Sequence, residues 1–132
     1  MSQEKTPFEL IGGEVAVRKL CEHFYDAMDL DEPALARLHI LDEQGKVSRQ
    51  SRDRFTLFLI GWLGGPQDYI AQFGHPRLRM RHAHVPVDIA MRDAWMRAMR
   101  TAMDETNTPA ELRGFLETRL AEVADFMRNR PG

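Results

Sequence analysis

The sequence predicts an all-α fold in a single domain spanning residues 1–132. Three observations carry that expectation. Apolar residues recur three and four apart through most of the chain, the period of one helix face. Two Thr-Pro-x-Glu stretches, at Thr6 and at Thr108, hold the residues that cap helix N-termini. Ile, Val and Thr are sparse, and no run alternates apolar and polar side chains as a half-buried strand would.

Taken in order, Thr6-Pro7-Phe8-Glu9 is a capping box with Pro in the first turn, and Gly12-Gly13 stops that short helix. Val17, Leu20, Cys21, Phe24 and Met28 share one face of a helix over 14–29. Pro33 starts a short helix over 33–38, and residues 41–47, polar around Gly45, read as a loop. Phe55, Phe58, Leu59 and Trp62 mark a helix over 49–63, closed by Gly64-Gly65-Pro66. Residues 64–88 are dense in Gly, Pro and His and only weakly helical. A functional site is expected there, because loops on rigid frames carry function. Asp88 caps a helix over 89–105 with Trp95, Met96, Met99 and Met103 inward. Thr108-Pro109-Ala110-Glu111 reads as a second capping box opening a helix to 129, with Leu112, Leu116, Leu120, Val123 and Met127 inward.

Composition narrows the function classes. A formal charge of -2 gives no global reason for a nucleic-acid partner. No stretch approaches the ~20 apolar residues of a membrane span, and the N-terminal residues lack a secretory pattern. The single cysteine, Cys21, excludes an intrachain disulfide, so a reducing, cytoplasmic location is expected.

Five histidines are the main candidates for chemistry. His23, His39, His75, His82 and His84 make no zinc-ligand spacing with acidic residues or with Cys21. Gly64-Gly65-Pro66 lacks the lysine and hydroxyl residue of a phosphate loop, and no nucleophile elbow is present. The segment Phe73 to His82 stands out, with Arg77, Arg79 and Arg81 alternating with Leu78, Met80 and His82. Taken alone, His82 reads either as a helix-terminal histidine bonding a backbone carbonyl or as the one axial ligand that a haem requires. The arginines suit the carboxylates of such a cofactor.

This segment closely resembles the group II truncated haemoglobins. The resemblance covers roughly residues 8–105. It includes the diglycines Gly12-Gly13 and Gly64-Gly65, the run Trp62-Leu63-Gly64-Gly65-Pro66 followed by Tyr69, and Gly74 to His82. It also includes Phe24-Tyr25 and the tetrapeptide Arg92-Asp93-Ala94-Trp95. It implies a truncated globin fold, a two-over-two helical sandwich around haem b. The implied function is binding of O2 and other small ligands (CO, NO, peroxide) at ferrous iron. His82 is then the axial ligand, and Tyr25, His39 and Trp95 are the distal hydrogen-bond donors. Ser51 and Phe55 form the distal wall, with Arg54, Arg79 and Tyr69 as anchors for the propionates.

The chain departs from the family where Ala83-His84-Val85-Pro86 replaces the usual Ala-Pro-Phe, placing a second imidazole two residues after His82. His84 is expected at the proximal rim, His75 in a turn, His23 facing solvent and Cys21 in the core. Two further readings stand beside the binding protein. One is a haem-dependent peroxidase or nitric-oxide-detoxifying enzyme served by an unidentified reductase. The other is a haem-free interaction module whose Met91, Met96, Met99 and Met103 meet a partner. Monomer and homodimer both remain open.

Overall fold

The structure, a computed structural model, describes residues 5–131; the side chains of Arg79 and Arg81 lie outside the described residues. Among the described residues the chain forms eight helices. They are α1 (Pro7–Ile11), α2 (Glu14–Asp31), α3 (Pro33–Ala36), α4 (Arg49–Trp62), α5 (Asp68–Phe73), α6 (Leu78–Arg81), α7 (Ile89–Glu105) and α8 (Ala110–Phe126). The loop before α4 contains only an isolated bridge, Leu41 to Val47. The all-α expectation therefore holds, and α5 and α6 add two short helices inside the Gly-rich stretch.

The capping box of α1 forms as expected. Thr6 Oγ1 accepts from Glu9 N, and Glu9 Oε1 accepts from Thr6 N, both at 3.2 Å. Gly12 and Gly13 then take positive φ, a region that a Cβ disfavours, and turn the chain into α2. The second diglycine has a different task. A Cβ on Gly65 would stand 2.7 Å from the Phe8 ring, and Phe8 N donates to Leu63 O at 2.9 Å. The end of α4 is where α1 docks.

α2 and α4 form one layer, α7 and α8 the other, with the broadest contact between α2 and α7. Val17, Leu20, Cys21, Phe24 and Met28 are all buried, as the periodicity requires, against Met96, Met99 and Met103 of α7. Each such side chain contributes roughly 1.5–3 kcal/mol on burial. These methionines are core, so the reading of a methionine-rich partner surface fails: α7 has spent that face on α2. Burial pushes the Cys21 thiol up to about 12, which leaves it protonated and inert.

Both boundaries of α8 differ from expectation. Asp88 Oδ1 does cap α7, accepting from Met91 N at 2.9 Å, but Thr108 does not cap α8. The N-cap is Pro109, and Thr108 Oγ1 instead lies 3.4 Å from Thr106 Oγ1. Asn107 takes positive φ and Thr108 N donates to Met103 O. Thr108 thus belongs to the closure of α7 rather than the opening of α8. The last helix also ends at Phe126, because residues 127–131 turn back toward the loop before α7.

The feature that periodicity did not expose is a buried guanidinium. Arg52 of α4 is only 5 % exposed. Its Nη1 donates to Glu22 Oε2 (3.1 Å) and Asp26 Oδ1 (2.8 Å), and its Nη2 to Asp29 Oδ2 (2.7 Å). Its Nε donates to Val47 O at 3.0 Å, while Asp29 Oδ1 accepts from Val47 N at 3.1 Å. Arg49 joins the cluster by pairing with Glu22. One side chain thereby fastens α2, α4 and the intervening loop.

Removing one partner of a buried ion cluster typically costs about 3 kcal/mol or more. Arg52→Met is therefore expected to lower the urea stability by about that amount, measured as a shifted unfolding midpoint. The acid side of the stability profile has a named contributor. The Arg49 guanidinium, opposing partial burial, holds the Glu22 carboxyl below its ordinary value of 4.5. Glu22 therefore contributes stability at neutral pH that is lost as pH falls through 4.5 and then through its folded value. Arg49→Ala should flatten that loss in denaturant titrations at stepped pH.

Candidate functional site

A cavity of about 460 Å³ opens between the two layers. Tyr25 of α2, Leu35 of α3 with Leu38 and His39 beyond it, and Ser51, Arg54, Phe55 and Phe58 of α4 form one side of its lining. Tyr69, Leu78, His82, Val85 and Val87 continue it through the Gly-rich stretch. Met91, Arg92 and Trp95 of α7 and Val123, Ala124 and Met127 of the C-terminal stretch complete it. The cavity brings together the sequence-predicted residues Tyr25, His39, Ser51, Arg54, Phe55, Tyr69, His82 and Trp95. The Arg79 side chain lies outside the described residues.

His82 is the C-cap of α6. Its Nδ1 lies 2.7 Å from Leu78 O. A carbonyl only accepts, so Nδ1 carries the hydrogen, and in the neutral ring Nε2 keeps its lone pair. Both readings of His82 meet in this geometry, since a carbonyl bond at Nδ1 is what orients a ligating imidazole. His84 is exposed and absent from the cavity lining, and His75 is exposed. His23 is tied across the layers to Glu105 at 3.0 Å.

Phe24, fully buried, centres the aromatic wall. Its ring lies 4.9 Å from Tyr25, 5.0 Å from Trp95 and 5.4 Å from Phe55. Such contacts hold ring orientation as well as burying area. Among the described residues neither the Tyr25 hydroxyl nor the Trp95 indole N–H has a hydrogen-bond partner. Burial pushes the Tyr25 hydroxyl upward in pKa, so it remains an O–H donor.

His39 differs from the donor role that the resemblance implies. Its ring meets Tyr25 edge-on at 5.7 Å, and its Nδ1 lies 3.1 Å from Leu35 O. Burial holds its pKa below 6.5 against the backbone bonds that oppose the shift. The neutral ring therefore donates from Nδ1 and offers Nε2 as an acceptor.

Around the rim, the Arg54 guanidinium sits 4.5 Å over the Phe73 ring and has no carboxylate partner among the described residues. Arg92, by contrast, is held by Asp93 and by Asp125 at 2.7 Å. Tyr69 packs between Phe58 and Phe73. Ser51 Oγ accepts from Ser48 Oγ at 3.2 Å at the start of α4, leaving a small side chain at that part of the wall.

The chain matches the family described as Bacterial-like globin over residues 6–129. It is 35 % identical over 124 residues to "Group 2 truncated hemoglobin YjbI" of Bacillus subtilis, covering 94 % of this chain and 89 % of that one. The chain belongs to the group II truncated haemoglobins. Its fold agrees with the group II truncated hemoglobin from Bacillus anthracis at a TM-score of 0.90 and 34 % identity, covering 99 % and 96 % of the two chains. It also agrees with the group II 2-on-2 hemoglobin of Agrobacterium tumefaciens at 0.88 and 37 %, covering 99 % and 98 %. The two helix layers are thus the two-over-two sandwich of truncated haemoglobins, and haem with its iron is the cofactor that membership assigns.

The residues present fit that group. The cavity lies within the 300–1,000 Å³ of ordinary cofactor sites, and its walls are largely aliphatic and aromatic. His82 lines the cavity with a nitrogen able to ligate iron, and the exposed Arg54 has no carboxylate partner among the described residues. Sequence reasoning missed two residues that shape this site. Arg52 left a signal: Glu22, Asp26 and Asp29 share one face of α2 and call for a cation. Asn129, bonded to the His82 segment, left none.

The pH behaviour of His39 follows from its shift. An imidazole whose folded pKa is depressed disfavours the folded state as pH falls below 6.5, because the unfolded chain takes up the proton first. Its NMR titration midpoint should lie below 6.5, and His39→Phe should lessen the fall in urea midpoint on acidification through that range.

Proposed function

We propose that this truncated haemoglobin binds O2 and other small ligands such as CO and NO at ferrous haem iron. In this reading His82 is the axial ligand, and Tyr25 and Trp95 are the donors to whatever binds. The observation that carries it is the pairing inside one apolar cavity of a tautomer-fixed imidazole with two donors that lack partners.

When bound, haem supplies an iron with one position open to a small molecule. His82 would hold the iron through Nε2, its ring steered by the Leu78 carbonyl. Tyr25 Oη and Trp95 Nε1 each present a hydrogen to the open side. Phe24 and Phe55 keep those rings in place and exclude bulk water. His39 packs edge-on against Tyr25 and offers Nε2 as an acceptor on the same side. Arg54 meets a propionate at the rim, and Tyr69 and Phe73 shape that edge. Because His84 is exposed, we assign it no part in iron binding.

A hydrogen bond to a partly charged acceptor is worth about 1.5–3 kcal/mol, or roughly a 10- to 150-fold slower release of oxygen per effective donor. Two such donors favour retention over shuttling, which suits storage at low oxygen, sensing or redox chemistry. One observation favours the peroxidase or nitric-oxide-consuming alternative as a second reading. An acceptor beside two donors also suits a protonated ligand such as hydrogen peroxide, with an unidentified reductase closing the cycle. Among the described residues no helix is long and apolar enough to cross a membrane. We place the protein in the cytoplasm on the strength of its lone, buried thiol.

Oxygen dissociation measured by stopped flow should accelerate by roughly tenfold or more in Tyr25→Phe and in Trp95→Phe. Unchanged rates in both would defeat the donor assignment. His82→Ala should abolish the five-coordinate ferrous spectrum and its conversion by carbon monoxide.

A further inference from the structure

We propose that Asn129 is the residue that positions the proximal histidine, an inference that rests on His82 being the axial ligand. Three hydrogen bonds of the Asn129 amide go to one short stretch of chain, and its Oδ1 also accepts from Arg130 Nη1 at 3.3 Å. Its Oδ1 accepts from Val87 N at 2.9 Å, and its Nδ2 donates to His82 O at 3.0 Å and to Val85 O at 2.8 Å. Its backbone N adds a bond to Val87 O at 2.9 Å. A residue 47 positions away in sequence thus holds both ends of the segment from His82 to Val87.

That segment needs an external fastening. α6 is one turn long, too short to persist alone, and among the described residues it packs broadly against no other helix. The bond from His82 Nδ1 to Leu78 O lies within the turn. It fixes the imidazole relative to α6, but not α6 relative to the cavity. Asn129 supplies the missing reference at the carbonyl of His82 itself. The same amide reaches Val87, which precedes the Asp88 cap of α7. The turn carrying the axial ligand and the helix carrying Trp95 are therefore referenced to one side chain.

Only an amide satisfies this site, because two carbonyls need donors while one N–H needs an acceptor. A carboxylate keeps the bond from Val87 and confronts the carbonyls of His82 and Val85 with a third acceptor. A methyl group gives up all three side-chain bonds to the segment from His82 to Val87.

The test uses the haem-loaded protein as wild type, His82→Ala, Asn129→Ala, Asn129→Asp and Leu116→Val, the last a packing change in the adjoining helix. Two quantities are read: the iron–imidazole stretching band of the ferrous form by resonance Raman, and the rate of haem transfer to excess apomyoglobin. The band should be present in wild type and lost in His82→Ala. Both Asn129 variants should shift or broaden it and release haem roughly tenfold faster, with the Asp variant affected at least as much as the Ala variant. Leu116→Val should lower the urea midpoint while leaving both quantities unmoved. Asn129→Ser replaces Asn129→Ala if the latter does not fold. A band that survives His82→Ala sinks the axial reading and this inference with it. A band lost in His82→Ala but unmoved, with unchanged haem release, in the Asn129 variants sinks this inference alone. Matching changes in Leu116→Val and the Asn129 variants would reduce Asn129 to a general tether and equally overturn it.

Discussion

The buried guanidinium of Arg52 is the interaction on which the geometry of the fold depends. It sits between two helices of one layer, takes three carboxylates from α2 and also binds the backbone of the loop before α4. Its Cζ atom lies 5.7 Å from the Tyr25 ring centroid. The apolar contacts of this layer would tolerate some sliding of α4 along α2, because hydrophobic attraction is non-directional. A forked cation with four acceptors does not tolerate it. The register of α4 sets where Ser51, Arg54 and Phe55 stand, and so the shape of the cavity.

The cavity itself is a place where ordinary packing stops. Protein interiors are close to crystalline in density, yet here the helices meet around a space of about 460 Å³. The wall survives because its aromatic residues brace one another rather than reaching a partner across the gap. Phe24 touches Tyr25, Phe55 and Trp95. Of the polar groups along that space, the Nδ1 atoms of His39 and His82 are bonded to carbonyls, while the Tyr25 hydroxyl and the Trp95 indole N–H have no partner among the described residues.

Most of the scaffold was legible because it follows from period and punctuation. The α2 face, the Asp88 cap and the α1 capping box each state a local rule, and each formed. Thr108 failed because a neighbouring rule took precedence. It was drawn into the left-handed closure of α7 through Asn107 before it could open α8. Site residues such as His82, Tyr25 and Trp95 were legible only through resemblance, because their spacing also suits a core. Asn129 escaped both routes, and Arg52 left only the acidic face of α2 as a trace. Their decisive bonds reach residues tens of positions away, beyond the span of a short motif. The tautomer of His39 is likewise a tertiary fact, fixed by one carbonyl.

Redox wear follows from how sulfur is distributed about the cavity. The only thiol is sealed in the core behind Phe24's layer, while the thioethers of Met91 and Met127 are part of the cavity wall. Any oxidant that forms inside meets sulfur atoms that oxidise to polar, repairable sulfoxides. It reaches no cysteine whose over-oxidation would be permanent. Damage would then accumulate as a gradual wetting of an apolar wall, with the core between α2 and α7 preserved.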